Sequence, residues 1–176
     1  SQVDAVNDLQ STPLHYACRE GNVDIVSGLI NFGAALEARN KDNLSALHVA
    51  AGMGHVDVTR QLLDAGADME AVDNAKYTPL WRAAYYGHPE TVAALVEKGA
   101  DREARNKKGR KPGEVFSPSV DADKQNAVRQ HLGMAPAAAA DSPVRPPAAA
   151  AMAAAGGNAA GATAPAGAMA ARGGGG

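Results

Sequence analysis

Residues 12–34 read TPLHYACREGNVDIVSGLINFGA, and the chain repeats this phrase twice more in altered form. Thr12-Pro13-Leu14-His15 returns as Ser45-Ala46-Leu47-His48 and as Thr78-Pro79-Leu80-Trp81. Ala17 returns as Ala50 and Ala83, and Leu29-Ile30 as Leu62-Leu63 and Leu95-Val96. Gly21-Asn22, Gly54-His55 and Gly87-His88 keep a step of 33 residues, as do the Gly-Ala pairs that begin at Gly33, Gly66 and Gly99. A fixed period of about 20–50 residues marks a stack of small units, none able to bury its apolar face alone.

The residue types within a unit predict two short helices and a turn. Pro13 and Pro79 suit a first helical turn, where a missing N–H is no loss. Leu14, Ala17 and Cys18 then share one face at i, i+3 and i+4. Gly21, Gly54 and Gly87 stand where that helix must stop and reverse, a place that favours positive φ. Asp24, Asp57 and Glu90 open a second helix at its positive end. Its apolar stripe is Val26, Leu29 and Ile30 in the first unit and Val92, Leu95 and Val96 in the third, and Gly33, Gly66 and Gly99 end it. Asn7, Asn40, Asp73 and Asn106 fall at one phase of the polar stretches between units, where such side chains bond their own backbone in hairpin tips.

The Thr-Pro-Leu-His opening, the paired helical patterns and the Gly-Ala exit resemble the ankyrin repeat family, over roughly residues 1–132. The resemblance implies an all-α solenoid of helix-turn-helix units with hairpin loops. About three full repeats are expected, near 7–39, 40–72 and 73–105, followed by a degenerate cap at 106–133. Lys111-Pro112-Gly113-Glu114 keeps the phase of the opening motif but loses its Leu and His, and residues 123–132 read as a polar second helix of shifted register. Residues 1–133 are thus expected to form the repeat domain.

Beyond Gly133 the 176-residue chain turns to Ala, Gly and Pro, with Asp141, Arg145 and Arg172 as its only charges. Such a segment cannot offset an ordering entropy of about 1–2 kcal/mol per residue, so residues 134–176 are expected to be a disordered tail or linker. The run at 148–155 supports transient helix at most. At the other end Ser1 takes the place of an Ala in an earlier Gly-Ala, and Cys18, Val23 and Ile25 have internal character. Because terminal repeats carry a polar outer face, upstream units are expected to be missing, and the piece to be a monomeric fragment of a larger protein.

The single cysteine, Cys18, stands where Ala51 and Ala84 stand in later units and reads as a buried thiol. One cysteine forms no disulfide within the chain, which fits a reducing, intracellular compartment, cytoplasmic or nuclear. No apolar run approaches the ~20 residues of a membrane span.

Five histidines invite a metal or acid-base reading, and the period opposes it. His15 and His48 hold one repeat position, His55 and His88 another, so members of each pair sit about 10 Å apart, too far for one ion at bond lengths of about 2.1 Å. The resemblance gives the opening histidine a hydrogen-bonding role within and between units. No phosphate loop, nucleophile elbow or helical His-Glu pair is present. No enzyme activity, cofactor or metal is expected.

In this family the hairpin tips and the exposed side of each first helix usually line a concave surface that holds a protein partner. The residues that break the repeat are then the informative ones. Tyr77, Trp81, Tyr85 and Tyr86 crowd the third unit, with Arg82 beside them, and such residues dominate binding hot spots. Tyr77, Tyr85 and Tyr86 are expected at the surface, whereas Trp81 either faces outward or packs between units like the histidines whose place it takes. Leu44 and Met53 flank them, and Arg105, Lys107, Lys108 and Arg110 form a basic tip.

Charge divides along the array. Residues 1–74 carry eleven acids and four bases, and residues 75–111 carry nine bases and four acids. The basic end can attract acidic peptide, phosphate or nucleic acid, but a pI near 6.2 and the acidic first half disfavour wrapping a polyanion. Residues 107–111 faintly resemble a nuclear import signal. The leading expectation is a non-enzymatic protein-interaction module. The alternatives are an array that positions a larger enzyme or channel, and weak nucleic-acid or anionic-lipid binding at 102–111.

Overall fold

Each opening motif starts a helix, and each repeated glycine stops one. The computed structural model describes residues 2–136, so the expected tail from residue 137 on, including the run at 148–155, lies outside the described residues. After a short 3-10 turn at Gln2–Asp4 come α1 (Pro13–Glu20), α2 (Val23–Asn31), α3 (Ala46–Met53), α4 (Val56–Asp64), α5 (Pro79–Tyr86), α6 (Pro89–Glu97) and α7 (Ala122–His131). No strand occurs among the described residues.

The helices stack in two layers. The inner layer runs α1, α3, α5 and the outer layer α2, α4, α6, α7, with each inner helix paired to the outer helix that follows it. Leu14, Leu47 and Leu80, at one phase of the repeat, are all completely buried. Burying such a side chain stabilises by about 1.5–3 kcal/mol. The all-α repeat solenoid expected from the period is the architecture observed.

Two features fix the tight reversal between paired helices. Gly21, Gly54 and Gly87 lie at φ of 73, 80 and 74°, a left-handed conformation that side chains disfavour. A Cβ on Gly21 would also sit 2.6 Å from the His55 ring, and one on Gly54 2.5 Å from the His88 ring. The neighbouring unit therefore packs directly onto the turn.

Acids hold the units in register. Asp4 Oδ1 accepts the Ala35 N–H at 2.9 Å, Glu37 Oε1 accepts that of Asp68 at 2.8 Å, and Glu70 Oε1 that of Asp101 at 2.8 Å. Each carboxylate thus pairs with a backbone donor at the exit of the next unit and ties the two units together.

The fourth unit begins a first helix and abandons it. Lys111 N–H donates to Glu114 Oε2 at 3.0 Å, which reproduces with a carboxylate the bond that Thr12 N–H makes to His15 Nδ1. Gly113, at φ 80°, then turns the chain away. What would have been a helix is a loop lying on α5, tied by Ser117 N–H to Tyr85 O at 2.8 Å and sealed by buried Val115 and Phe116. The chain re-enters the outer layer at α7, where Asp121 caps the helix by accepting Lys124 N–H at 2.8 Å. Val128 and Leu132 pack into the core shared with α6.

The two ends of the stack differ. Val58 and Thr91 are buried, whereas Ile25, which shares their phase, is exposed together with Val23 and Phe32. Cys18 is buried, in line with its small, apolar place in the repeat.

Candidate partner-binding surface

The histidines link units. In α1, His15 Nδ1 accepts the Thr12 N–H at 3.2 Å, which leaves the proton on Nε2, and Nε2 donates to Leu44 O at 2.9 Å in the following unit. His48 does the same, with Ser45 N–H at 3.3 Å and Tyr77 O at 3.0 Å. His55 and His88 reach the other way, donating from Nε2 to Arg19 O at 2.9 Å and to Gly52 O at 3.0 Å.

Burial favours the neutral form of His15, His48 and His88. It lowers the pKa of His15 and of His88, and it lowers that of His48 to about 3, helped by the Arg82 charge. Burial likewise pushes the Cys18 thiol up to about 12, far from a reactive thiolate. No cluster of three or more His, Cys, Asp or Glu that could hold a metal ion occurs among the described residues.

Trp81 settles on the inter-unit side of its two expected positions. It is 1% exposed, and its Nε1–H donates to Arg110 O at 3.1 Å. Arg110 stands one period after Tyr77 and two after Leu44, so the indole replaces the imidazole as donor across the same seam.

The expected exposure of Tyr77 and Tyr85 is corrected by their burial, to 6% and 0% exposed. With Trp81 they form a ladder of rings, centroids 4.2 Å apart for Tyr77–Trp81 and 5.5 Å for Trp81–Tyr85. Burial pushes the Tyr85 phenol up to about 12. The physical reason is the missing helix of the fourth unit: a loop covers α5, and large rings fill the space that helix side chains would have taken. Tyr86 closes the ladder edge-on at 5.1 Å from Tyr85 and remains half-buried.

Leu44 and Arg82 also lie inside, both completely buried. Arg82 Nη2 forms an ion pair with Asp73 Oδ2, whose side chain is 2% exposed, and its Nε and Nη1 find no hydrogen-bond partner. More broadly, every residue of α3 from Ala46 to Gly52 and of α5 from Pro79 to Tyr85 is buried. The expectation that the first helices offer an exposed flank therefore fails for the second and third units, where only their C-terminal residues Met53 and Tyr86 are accessible.

The tips remain. Asn7, Asn40, Asp73 and Asn106 each accept two backbone N–H groups through Oδ1 within their own hairpins, at 2.8 to 3.0 Å. The residues three further on, Gln10, Asn43, Lys76 and Gly109, turn the tips at φ of 56 to 73°. Neighbouring tips touch through backbone bonds of 3.1 Å from Lys41 N–H to Leu9 O and from Lys107 N–H to Ala75 O.

At the last two tips the surface is cationic. Lys76, Arg105, Lys107, Lys108 and Arg110 are exposed, and none joins an ion pair among the described residues. The nearby acids are taken: Asp73 by Arg82, Glu103 by Lys111. Arg105 Nη1 donates to Gly109 O at 2.6 Å and so braces the tip. Of the residues expected at the site, the structure thus keeps Met53, Tyr86, Arg105, Lys107, Lys108 and Arg110 accessible. Sequence reasoning missed Lys76, whose position becomes informative only once two tips are seen side by side.

No helix among the described residues is long and apolar enough to cross a membrane. The family model described as "Ankyrin repeats (3 copies)" matches residues 1–73, and the one described as "Ankyrin repeat" matches residues 76–107. No curated protein matches the chain.

Proposed function

Because the chain belongs to the ankyrin repeat family, whose members are generally protein–protein interaction modules and typically not enzymes, we propose that it binds a protein partner along its hairpin tips. The carrying observation is the burial of α3 and α5: over the second and third units the tips, Met53 and Tyr86 are what a partner on that side can touch. Recognition is by shape and charge, and nothing is turned over. The unpaired cations at 76 and 105–110 favour an acidic partner surface and speed its approach.

A long polyanion fits less well. It would run from the basic tips onto the acidic half of the array, which carries Asp8 and Asp42 at its own tips. An intracellular setting, cytoplasmic or nuclear, accords with the lone buried thiol.

Affinity capture tests the reading. The chain carrying Lys107→Glu and Lys108→Glu, both exposed and outside any ion pair, is expected to keep its melting temperature and to lose partner recovery by tenfold or more. Unchanged recovery from a folded variant would refute the assignment to the tips.

A further inference from the structure

The seams between units are not alike. Across the first, which joins α1 and α2 to α3 and α4, His15 Nε2–H donates to Leu44 O at 2.9 Å and His55 Nε2–H to Arg19 O at 2.9 Å. Across the second, which joins α3 and α4 to α5 and α6, His48 donates to Tyr77 O and His88 to Gly52 O, both at 3.0 Å. Across the third, among the described residues, no imidazole takes part. There Trp81 Nε1–H donates to Arg110 O at 3.1 Å, and Val120 packs on Gly87 as the His55 and His88 rings pack on Gly21 and Gly54. His131, the remaining histidine, is exposed on α7.

The first two seams have no good place for an added proton. Nδ1 of His15 and of His48 accepts the N–H of Thr12 and of Ser45, so charging either ring costs that acceptor. His15 faces Arg39. His48 faces two cations, Arg82 and Arg39, against the one carboxylate of Asp73, which Arg82 already holds. His88 faces Lys124 and His55 against Glu90. Burial first, and then these cations, disfavour the charged rings. The indole and the valine that fill the third seam have no proton to gain.

The apolar core divides in the same way. One cluster runs from Leu14 to Ala67, within the first two units. Another is built from Leu80 to Leu132 and reaches back only to Ala51, with Leu63 and Met69 at its margin. The cluster of Tyr77, Trp81, Tyr85 and Val115 takes nothing from the first two units. The last part of the array therefore keeps most of its own buried contacts when the first part leaves.

We propose that acid opens the array at its first two seams and leaves the third shut. Opened units bind the protons that closed seams refuse, so stability present above about pH 6.5 is lost as pH falls. The stability of such an array is a sum of unit and seam contributions, so seams can part separately. Helices of eight or nine residues do not persist once unpacked. Helices α1 to α4 are then lost while α5 to α7 remain, and the two cationic tips stay joined by Lys107 N–H and Ala75 O.

Trp81 is the chain's one tryptophan and lies on the seam that stays shut, so its emission tests the proposal directly. Urea unfolding of the full chain is followed at pH 7.5 and at pH 5.0 by far-ultraviolet circular dichroism and by tryptophan emission. On acidification the circular-dichroism midpoint is expected to fall by about 1 M, and the Trp81 midpoint by less than half as much. A circular-dichroism midpoint that stays in place, or a Trp81 midpoint that moves by more than half as far, overturns the proposal. His15→Gln/His48→Gln is expected to at least halve the circular-dichroism shift, and an undiminished shift in a folded variant overturns it as well. Should that variant be unfolded at pH 7.5, the two midpoints of the parent chain decide by themselves.

Discussion

Exchanging Arg82 and Asp73 for the residues that the second unit carries at the same phases, Val49 and Asn40, should separate what the buried ion pair contributes from what it costs. Arg82 is completely buried, pairs with Asp73 through Nη2, and leaves Nε and Nη1 without partners. Asp73 Oδ1 meanwhile accepts Ala75 N–H at 2.8 Å and Tyr77 N–H at 2.9 Å, the work that Asn40 does for Asp42 and Leu44 at 3.0 Å. Removing one partner from a buried pair costs about 3–5 kcal/mol, because the other charge is left without compensation. Arg82→Val and Asp73→Asn should each show that loss. With a urea slope of about 2 kcal/mol/M, either single change lowers the unfolding midpoint by about 1.5–2.5 M. The double change removes both charges and retains the tip's two amide bonds, so its cost reduces to a small cavity, about 1 kcal/mol. Urea titrations followed by circular dichroism give all four stabilities and hence the coupling energy, expected to exceed about 3 kcal/mol. Single variants within about 1 kcal/mol of the parent, or a double variant as unstable as the sum of the singles, would refute the reasoning.

Acid should loosen the stack below neutrality. His48 is held neutral with a folded pKa of about 3 against 6.5 when unfolded, so between those values the unfolded chain binds the extra proton, and stability present above pH 6.5 is lost as pH falls. For this ring alone the slope is about 1.4 kcal/mol per pH unit, and His48→Asn is expected to flatten the measured pH–stability curve by about one proton. Glycine substitutions should sort by what adjoins them. Gly66, at φ 93°, has nothing within 4 Å of a new Cβ, whereas at Gly54 the His88 ring is in the way. Gly66→Ala then costs the left-handed strain of about 1–2 kcal/mol, and Gly54→Ala should cost at least about 1 kcal/mol more as His88 loses Gly52 O; thermal melts of the two variants compare them directly.

The period carried the architecture into plain view because each unit repeats the residues that its backbone requires: a cap at 12, 45 and 78, a left-handed glycine at 21, 54 and 87. The tip Asx residues were legible for the same reason. Burial of the aromatic residues was not. Tyr77 and Tyr85 depart from the repeat, and departure alone does not say whether a side chain meets a partner or repairs a gap in the fold. The gap was written further on, in Gly113, which stands at φ 80° where the other units carry a helical Leu, and in Pro118, at the phase of Tyr85 inside the helix; only the folded chain shows which face that loop must cover. One local signal pointed inward: Trp81 stands at the histidine phase, and an indole N–H can do an imidazole's work. Arg82 had a comparable signal in Asp73, the one acid among the four tip Asx residues.

The bonds that cross each seam run in opposite senses. His15 and His48 lend protons forward to the following unit, and His55 and His88 lend theirs back to the unit before. A seam that opens therefore strands groups on both lips at once, and half-open joints gain little. Under heat or tension such a pile parts at one joint while the others stay shut, so until that moment the distance from tip to tip is a fixed ruler against which a ligand's length can be measured.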